Sequence, residues 1–128
     1  MIELRPRETV ILAVDFARMV AWYQETLGFE LLELFEDDFH YAVLATPSGI
    51  KIGIAVAGEV GAEPGDRSKN TTLLQVEVDD VADFFAHLEK SGGATTFGPS
   101  LDEKGKFWFG GFADIEENPF WVVDKNCP

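Results

Sequence analysis

The sequence predicts an α+β fold in which one βαβββ module occurs twice within a single domain of 128 residues. Stretches with the period-two alternation of half-buried strands alternate with stretches spaced like one face of a helix. Each helix-like stretch begins at an aspartate and ends at a glycine 13 positions later, Asp15 to Gly28 and Asp80 to Gly93. An apolar strand precedes each of them, so the chain reads as one unit repeated. A chain built in this way is expected to place its function between the two copies.

The first module opens with a β-branched, apolar strand over residues 9–14. Asp15 follows as an N-cap, because its carboxylate can accept the unpaired N–H groups of a first helical turn. Gly28 ends the helix in the left-handed conformation that glycine adopts without strain. The apolar face of this helix recurs at helical spacing and consists of Phe16, Met19, Val20, Tyr23 and Leu27.

Three further strands complete the first module, over residues 29–35, 39–45 and 50–56. The acidic segment 36–38 is predicted to form the first turn between them and the segment 46–49, which contains Pro and Gly, the second. The module therefore spans about residues 1–57, and a polar linker rich in Gly covers residues 58–70.

The second module, about residues 71–128, repeats the pattern with a strand over residues 73–78 and an N-cap at Asp80. The apolar helical face is formed by Val81, Phe84, Phe85 and Leu88, and His87 is expected to face solvent. Gly92-Gly93 end this helix. The remaining predicted elements are strands at 94–97, 107–113 and 120–123 and turns at Gly98-Pro99 and 116–119.

Composition limits the classes of function. The chain has 23 acidic and 10 basic residues, a net charge of −13, which argues against nucleic acid as a partner. It is compatible with a cationic ligand or with a surface that only favours solubility. No apolar run approaches the roughly 20 residues of a membrane span, and the N-terminal residues lack a signal-peptide core. The single cysteine, Cys127, excludes a disulfide framework and a cysteine metal site. A cytoplasmic protein without a membrane partner is predicted.

Three segments resemble the vicinal oxygen chelate superfamily, also called the glyoxalase, bleomycin-resistance and extradiol-dioxygenase family. The clearest runs from Asp15-Phe16 through Trp22-Tyr23 to Leu27-Gly28-Phe29, and residues 76–81 are similar to the opening of the family's second module. Residues 112–119 look like a worn form of its D-P-D-G-N turn. The resemblance covers nearly the whole chain. It implies a curved mixed sheet around a central cup and a homodimer.

Metal-using members of that family hold one divalent metal with a first-strand His or Gln and a last-strand Glu from each module. Carried over by position, those ligands fall on Thr9 (or on Glu8, if a deletion before Asp15 is placed differently), Gly53, Leu73 and Trp121. At most one of the four can bind a cation, so no metal or other cofactor is predicted. The resemblance then favours the metal-free, bleomycin-resistance-like branch, which sequesters a cationic antibiotic.

The vacated positions suggest a small-molecule site instead. Alternation turns Gly53 inward, where its small size is expected to leave room, and places Trp121 on the second module's inner face. Trp108, Phe107 and Phe109 lie on the neighbouring strand, and Gln75 and Glu77 point away from the buried residues of theirs. An apolar hollow with a few polar groups is typical of ligand sites, and a Trp with a carboxylate suits planar or cationic molecules. The alternative is that these aromatic residues fill the hollow as core.

Residues near the first module's acidic turn complete the candidate ligand site. His40 alternates with Phe39 and shares a face with Ala42 and Leu44 that is predicted to look into the cup. His40 as a plain polar residue at a sheet edge is the alternative. Phe39 belongs to the segment 35–39, in which aromatic residues flank the acidic turn, and this segment supports the comparison with antibiotic-binding members.

Two hypotheses of different class follow. The first is a metal-independent protein that binds a small aromatic or cationic molecule, as in antibiotic sequestration. The second is a divergent enzyme of the lyase, isomerase or dioxygenase type with a non-standard or metal-dependent site, for which Glu8, His40 and Glu77 are the candidate catalytic residues. No nucleophile motif such as G-x-S-x-G and no phosphate loop occurs in the sequence. A fold retained with a closed pocket is the third possibility.

Overall fold

A computed structural model describes residues 2–128 of the chain. The chain divides into two compact units, the first ending at Pro64 and the second beginning at Gly65. Each unit contains one helix and one four-stranded mixed sheet, and the elements follow the order strand, helix, three strands. The predicted α+β fold of two βαβββ modules is therefore confirmed.

The first unit contains β1 (Thr9–Ala13), α1 (Phe16–Leu27), β2 (Glu30–Phe35), β3 (Tyr41–Ala45) and β4 (Lys51–Val56). The strand order in its sheet is β1-β4-β3-β2. β1 runs parallel to β4, whereas β3 is antiparallel to both of its neighbours. A short 3₁₀ helix follows β4 directly at Ala57–Val60.

Helix α1 begins and ends as its sequence predicts. The Asp15 carboxylate accepts the N–H of Arg18 at 3.2 Å, and Gly28 has a φ of 72°. The apolar side chains of α1 pack against one face of the sheet, because burial of apolar surface is the main stabilising contribution of an amphipathic helix. The buried residues of this layer include Met19, Val20, Tyr23, Ala42, Leu44, Ile52 and Ile54.

The second unit contains β5 (Leu74–Val78), α2 (Val81–Lys90), β6 (Ala94–Asp102), β7 (Phe107–Ala113) and β8 (Pro119–Asp124). Its strand order, β5-β8-β7-β6, and the parallel pairing of its first and last strands repeat those of the first unit. Within this unit, a 3₁₀ helix at Arg67–Lys69 precedes β5. Within residues 2–128, no helix is both long and apolar enough to cross a membrane.

The core of the second unit is aromatic. Asp80 caps α2 by accepting the N–H of Asp83 at 3.0 Å. Beneath the helix, the rings of Phe112 and Phe120 stack with centroids 4.8 Å apart, and Phe84 meets Phe112 edge-on at 5.0 Å. The other buried residues of this layer include Val81, Phe85, Leu88 and Val122.

The predicted turn at Gly98-Pro99 is wrong, because β6 continues through it to Asp102. The peptide bond between Gly98 and Pro99 is cis, and the pairing of β6 with β7 changes register between Phe97 and Ser100. Proline donates no hydrogen bond, but β6 is an edge strand, where an irregularity of this kind is tolerated. A bulge therefore replaces the predicted turn.

The turn between β7 and β8 is held by Asp114, which is only 2% exposed. Its Oδ1 accepts the N–H groups of Glu116 at 2.9 Å and Asn118 at 3.0 Å. The Asn118 side-chain amide donates to both carboxylate oxygens, at 3.1 and 2.9 Å. The turn also carries Glu117 at a φ of 69°, which is unusual for a residue with a side chain.

Replacing Glu117 with glycine should stabilise the protein. The left-handed conformation costs an L-residue roughly 1–2 kcal/mol, and part of that gain is offset by the greater entropy of glycine in the unfolded chain. We expect Glu117→Gly to raise the free energy of unfolding by about 0.5–1 kcal/mol in urea denaturation. Glu117→Ala, which keeps the strained conformation, is the control. A loss of stability in Glu117→Gly would contradict this explanation.

Candidate ligand-binding site

One face of the second sheet is covered by α2 and the other carries the candidate site. A Cβ on Gly110 would lie 2.6 Å from the ring of Phe85, so Gly110 marks the side that faces α2. Side chains alternate along a strand, so its neighbour Gly111 marks the opposite side. Trp121 pairs with Gly111 in the ladder between β7 and β8 and therefore shares that opposite face.

A hollow of about 440 Å³ opens on the face of Trp121. Four aromatic side chains line it, and Phe109 lies near two of the others. Its ring centroid lies 6.1 Å from that of Phe107 and 6.5 Å from that of Phe97. Trp121, 51% exposed, forms another part of the wall. Val123 and Cys127 also line the hollow, and its polar residues are Gln75 and Asp102.

Gly111 shapes this surface. A Cβ at Gly111 would collide with the ring of Phe97 and would lie 2.5 Å from Oγ1 of Thr96. Because glycine has no side chain, the Phe97 ring can lie close against β7. The bulge of β6 begins next to Phe97 and breaks the regular alternation of that strand. The aromatic wall thus depends on a glycine and on an irregular edge strand.

The carboxylate of Asp102 is fixed by the turn that joins β6 to β7. Its Oδ1 accepts the backbone N–H groups of Lys104 at 3.0 Å and Gly105 at 2.8 Å. These bonds hold a negative charge beside the aromatic wall without using a side-chain cation. Gln75 of β5, the polar residue next to Trp121, pairs in register with it. The hollow combines stacking surfaces with one anionic group and one amide.

The structure brings together some of the predicted residues of the second unit. Trp121, Gln75, Phe107 and Phe109 all line the hollow. Trp108 does not, because Gly110, two residues further along β7, faces α2, and alternation places the Trp108 side chain on that same face. The prediction that Trp108 lines the same space as Trp121 is therefore wrong.

Three further positions of the second unit differ from the expectation. Glu77 lies two residues beyond Gln75, on the same face of β5, but outside the lining of the hollow. Phe97 and Asp102 line the hollow and were not predicted. The period-two alternation is the only signal in the sequence for the face of a strand. The bulge in β6 interrupts this alternation, so the sequence does not predict where Phe97 and Asp102 point.

In the first unit, Gly53 does not leave the open space that its size predicts. A Cβ on Gly53 would collide with the phenol of Tyr41 and would lie 3.1 Å from Cγ of Glu8. These two side chains occupy the place above the glycine. The Tyr41 hydroxyl donates a 2.8 Å hydrogen bond to Oε1 of Glu8. The alternation of side chains along a strand does not predict that Tyr41 and Glu8 occupy this space, because their contact depends on how far long side chains reach.

The same contact decides which residue of the N-terminal strand faces Gly53. Glu8 reaches Gly53, so Thr9, the next residue, points to the opposite side of the strand. Of the two alternatives for the first position of the family's metal set, Thr9 and Glu8, it is Glu8 that lies on the face of Gly53. Gly53, Leu73 and Trp121 contribute no donor side chain. Among residues 2–128, no three His, Cys, Asp or Glu side chains are grouped so that they could hold a metal ion, and the residues present do not fit the metal that the fold family implies.

His40 and Phe39 precede β3 rather than lying within it. The ring and the backbone of His40 both contact Glu59: Nδ1 lies 2.6 Å from Oε2, and the backbone N–H donates to Oε1 at 2.8 Å. These bonds hold the pKa of Glu59 below its usual value. The His40 ring also meets Phe16 of α1 edge-on at 5.4 Å, and Phe39 stacks on Phe35 at 5.9 Å. His40 is thus placed beside the helix.

The packing over Gly53 gives a testable expectation. Gly53→Ala should displace Tyr41 and lower the free energy of unfolding by about 1–3 kcal/mol, the usual cost of overpacking. Urea denaturation measures the change. Gly58→Ala is the control, because a Cβ there meets nothing within 4 Å. Equal stability of Gly53→Ala and the wild-type protein would show that Tyr41 does not occupy this space.

The amino-acid sequence matches the Glyoxalase/Bleomycin resistance protein/Dioxygenase superfamily over residues 5–122. The chain belongs to this superfamily. The match includes residues of both units. No curated protein sequence matches the chain.

Solved structures share the fold at low sequence identity. A member from Sphaerobacter thermophilus is 19% identical, with a TM-score of 0.78 and coverage of 96% of this chain and 98% of that chain. A superfamily enzyme from Burkholderia phytofirmans is 20% identical, with a TM-score of 0.72 and coverage of 91% and 95%. TnmS3, an antibiotic binding protein from Streptomyces, is 21% identical, with a TM-score of 0.71 and coverage of 97% and 98%.

Proposed function

We propose that this superfamily member binds a small, planar aromatic cation in the hollow of the second unit and does so without a metal. The observation that carries the proposal is the wall formed by Phe97, Phe107, Phe109 and Trp121 beside the carboxylate of Asp102. Aromatic faces attract cations through their quadrupole, and the exposed indole of Trp121 is the best of them. A fixed carboxylate at the rim adds a direct charge interaction.

The volume and charge of the protein agree with such a ligand. A hollow of about 440 Å³ falls within the usual range of small-molecule sites, roughly 300–1,000 Å³. The net charge of −13 raises the local concentration of cations around the protein. The similarity in fold to an antibiotic binding protein supports small-molecule capture as the kind of function. Sequestration of an antibiotic is the specific form of that function that we propose.

The test compares a planar cation with a neutral molecule of the same shape. N-methylquinolinium should quench tryptophan fluorescence saturably at pH 7.5, and quinoline, which is uncharged there, should bind about tenfold more weakly. The titration is repeated after dialysis against EDTA, and the affinity should not change. Equal affinities for the two molecules would exclude recognition of the charge. Binding that returns only when a divalent metal is added would exclude a metal-independent site.

We also infer that the protein is a homodimer. β2 is an edge strand of the first sheet and exposes Leu32, Leu34 and Phe35, a surface that is suited to pairing between chains. The family resemblance supports the same assembly. Sedimentation equilibrium should give twice the 14.2 kDa mass of one chain. A mass of one chain at micromolar concentration would contradict the dimer.

A further inference from the structure

The first unit contains a buried carboxylate whose hydrogen bonding is incomplete. The side chain of Glu8 is only 7% exposed. Its Oε1 accepts from the Tyr41 hydroxyl at 2.8 Å, whereas its Oε2 is buried without a hydrogen-bond partner. A carboxylate can accept about four hydrogen bonds, and most buried polar atoms of folded proteins have at least one hydrogen-bond partner. Oε2 therefore lacks a donor that its surroundings require.

The nearest cation of the chain does not supply that donor. Nε of Arg7 lies 3.6 Å from Oε2, beyond hydrogen-bond distance, and the Arg7 side chain is 81% exposed. Arg7 thus attracts Glu8 from the surface without satisfying the buried oxygen. A charged group that is buried with one unpaired oxygen is costly unless something binds it.

Glu8 and Tyr41 keep the protonation states that an external donor needs. The hydrogen bond from Tyr41, then that from the backbone N–H of Glu8 itself, and to a smaller extent the charges of Arg7 and Lys51, hold the pKa of Glu8 below its usual value. Burial, followed by the contact with Glu8, raises the pKa of Tyr41 to about 12. Glu8 is therefore ionised and Tyr41 is protonated at neutral pH. Together they offer an anionic acceptor and a phenol oxygen with remaining acceptor capacity.

We propose that Glu8 and Tyr41 form a binding site for a protonated primary amine. The ammonium takes the place of the exposed Arg7 side chain beside Glu8, because Oε2 has almost no accessible surface in the unliganded protein. One N–H of the ammonium then donates to Oε2, and the phenol of Tyr41 orients the carboxylate through Oε1. A divalent metal suits this site poorly, because one carboxylate and one neutral phenol fall short of the usual number of protein ligands. The proposal stands on the first unit alone and does not require the aromatic hollow of the second.

The test uses simple amines that lack an aromatic ring. Butylammonium should shift the Glu8 side-chain carboxyl resonance and the Tyr41 ring resonances saturably in NMR spectra of labelled protein. Butyltrimethylammonium has the same charge but no N–H, so it should bind at least about tenfold more weakly. This preference distinguishes the site from the aromatic hollow, because cation–π attraction accepts quaternary cations.

Substitutions separate the two residues from the rest of the surface. Glu8→Gln should weaken butylammonium binding at least about tenfold while the unliganded protein keeps its melting temperature or gains a little, since an unpaired charge is removed. Arg7→Gln removes the protein's own cation next to Glu8, so this variant should bind butylammonium more tightly. Glu33→Gln is the matched control: it removes an exposed carboxylate on the same face of the sheet, opposite Val43, and should leave binding unchanged.

Three results would overturn the proposal. The first is the absence of a saturable shift with butylammonium in the wild-type protein. The second is an equal response to butyltrimethylammonium, which would indicate attraction to charge alone. The third is equal binding by Glu8→Gln. If Glu8→Gln fails to fold, the comparison of the two cations in the wild-type protein still decides the matter.

Discussion

Trp121→Ala should lower the affinity for N-methylquinolinium by about 30- to 150-fold. Loss of a desolvated cation–π contact and of the apolar area of the indole together amounts to about 2–3 kcal/mol, and each 1.4 kcal/mol is a factor of ten. Because Trp121 is half exposed and points away from α2, its removal should leave the free energy of unfolding nearly unchanged. Isothermal titration calorimetry measures the affinity and urea denaturation the stability.

Trp108→Ala is a matched control for this experiment. Trp108 is the same residue type and similarly exposed, at 44% against 51%. It lies on the opposite face of the sheet, so its truncation should change the affinity by less than about threefold. If both variants lost affinity equally, the loss would come from a general disturbance of the sheet. If neither lost affinity, Trp121 would not belong to the site.

Asp114→Ala should have the largest effect on stability, about 3 kcal/mol or more. The substitution removes a buried carboxylate that accepts hydrogen bonds from two backbone N–H groups and from the amide of Asn118. Each bond to a charged acceptor contributes about 1.5–3 kcal/mol, and the donors left behind lose their partner in a closed turn. A domain of this size has only about 5–15 kcal/mol in total. Urea denaturation monitored by circular dichroism measures the loss.

Asp37→Ala is the control for the Asp114 substitution. Asp37 is exposed in the acidic turn between β2 and β3, and its removal should change stability by no more than about 0.5 kcal/mol. Asp114→Asn should fall between the two variants, since its amide oxygen keeps part of the acceptor capacity. If Asp114→Ala lost no more free energy of unfolding than Asp37→Ala, the turn would not depend on this carboxylate.

Much of the fold can be predicted from local chemistry. Asp15 and Asp80 cap helices because their carboxylates are close in sequence to the N–H groups that they satisfy. Gly28 ends α1 because left-handed backbone favours glycine. Alternation correctly separates Trp121 from Val122, which are exposed and buried in turn. All of these signals act over a few residues, so they are present in the sequence itself.

The candidate sites depend on contacts that local patterns do not contain. The bulge that places Phe97 in the hollow follows from pairing between β6 and β7, so a period-two analysis stops at Gly98. Tyr41 fills the space over Gly53 from a neighbouring strand, and Glu8 meets it across 33 positions of sequence. The sequence places Trp108 on the strand next to Trp121, and only the ladder with β8 shows that the two side chains lie on opposite faces. Long-range pairing therefore determines what the sequence leaves open.

The most direct test of the aromatic hollow is to locate the bound cation by amide and indole NMR. On saturation with N-methylquinolinium, the largest shifts should fall on the Trp121 indole and on the backbone of Gln75, Phe97 and Phe109. The Trp108 indole should move little, since it lies on the other face of the sheet. Shifts that spare Trp121, or that cluster around Trp108 and α2, would contradict the proposed site.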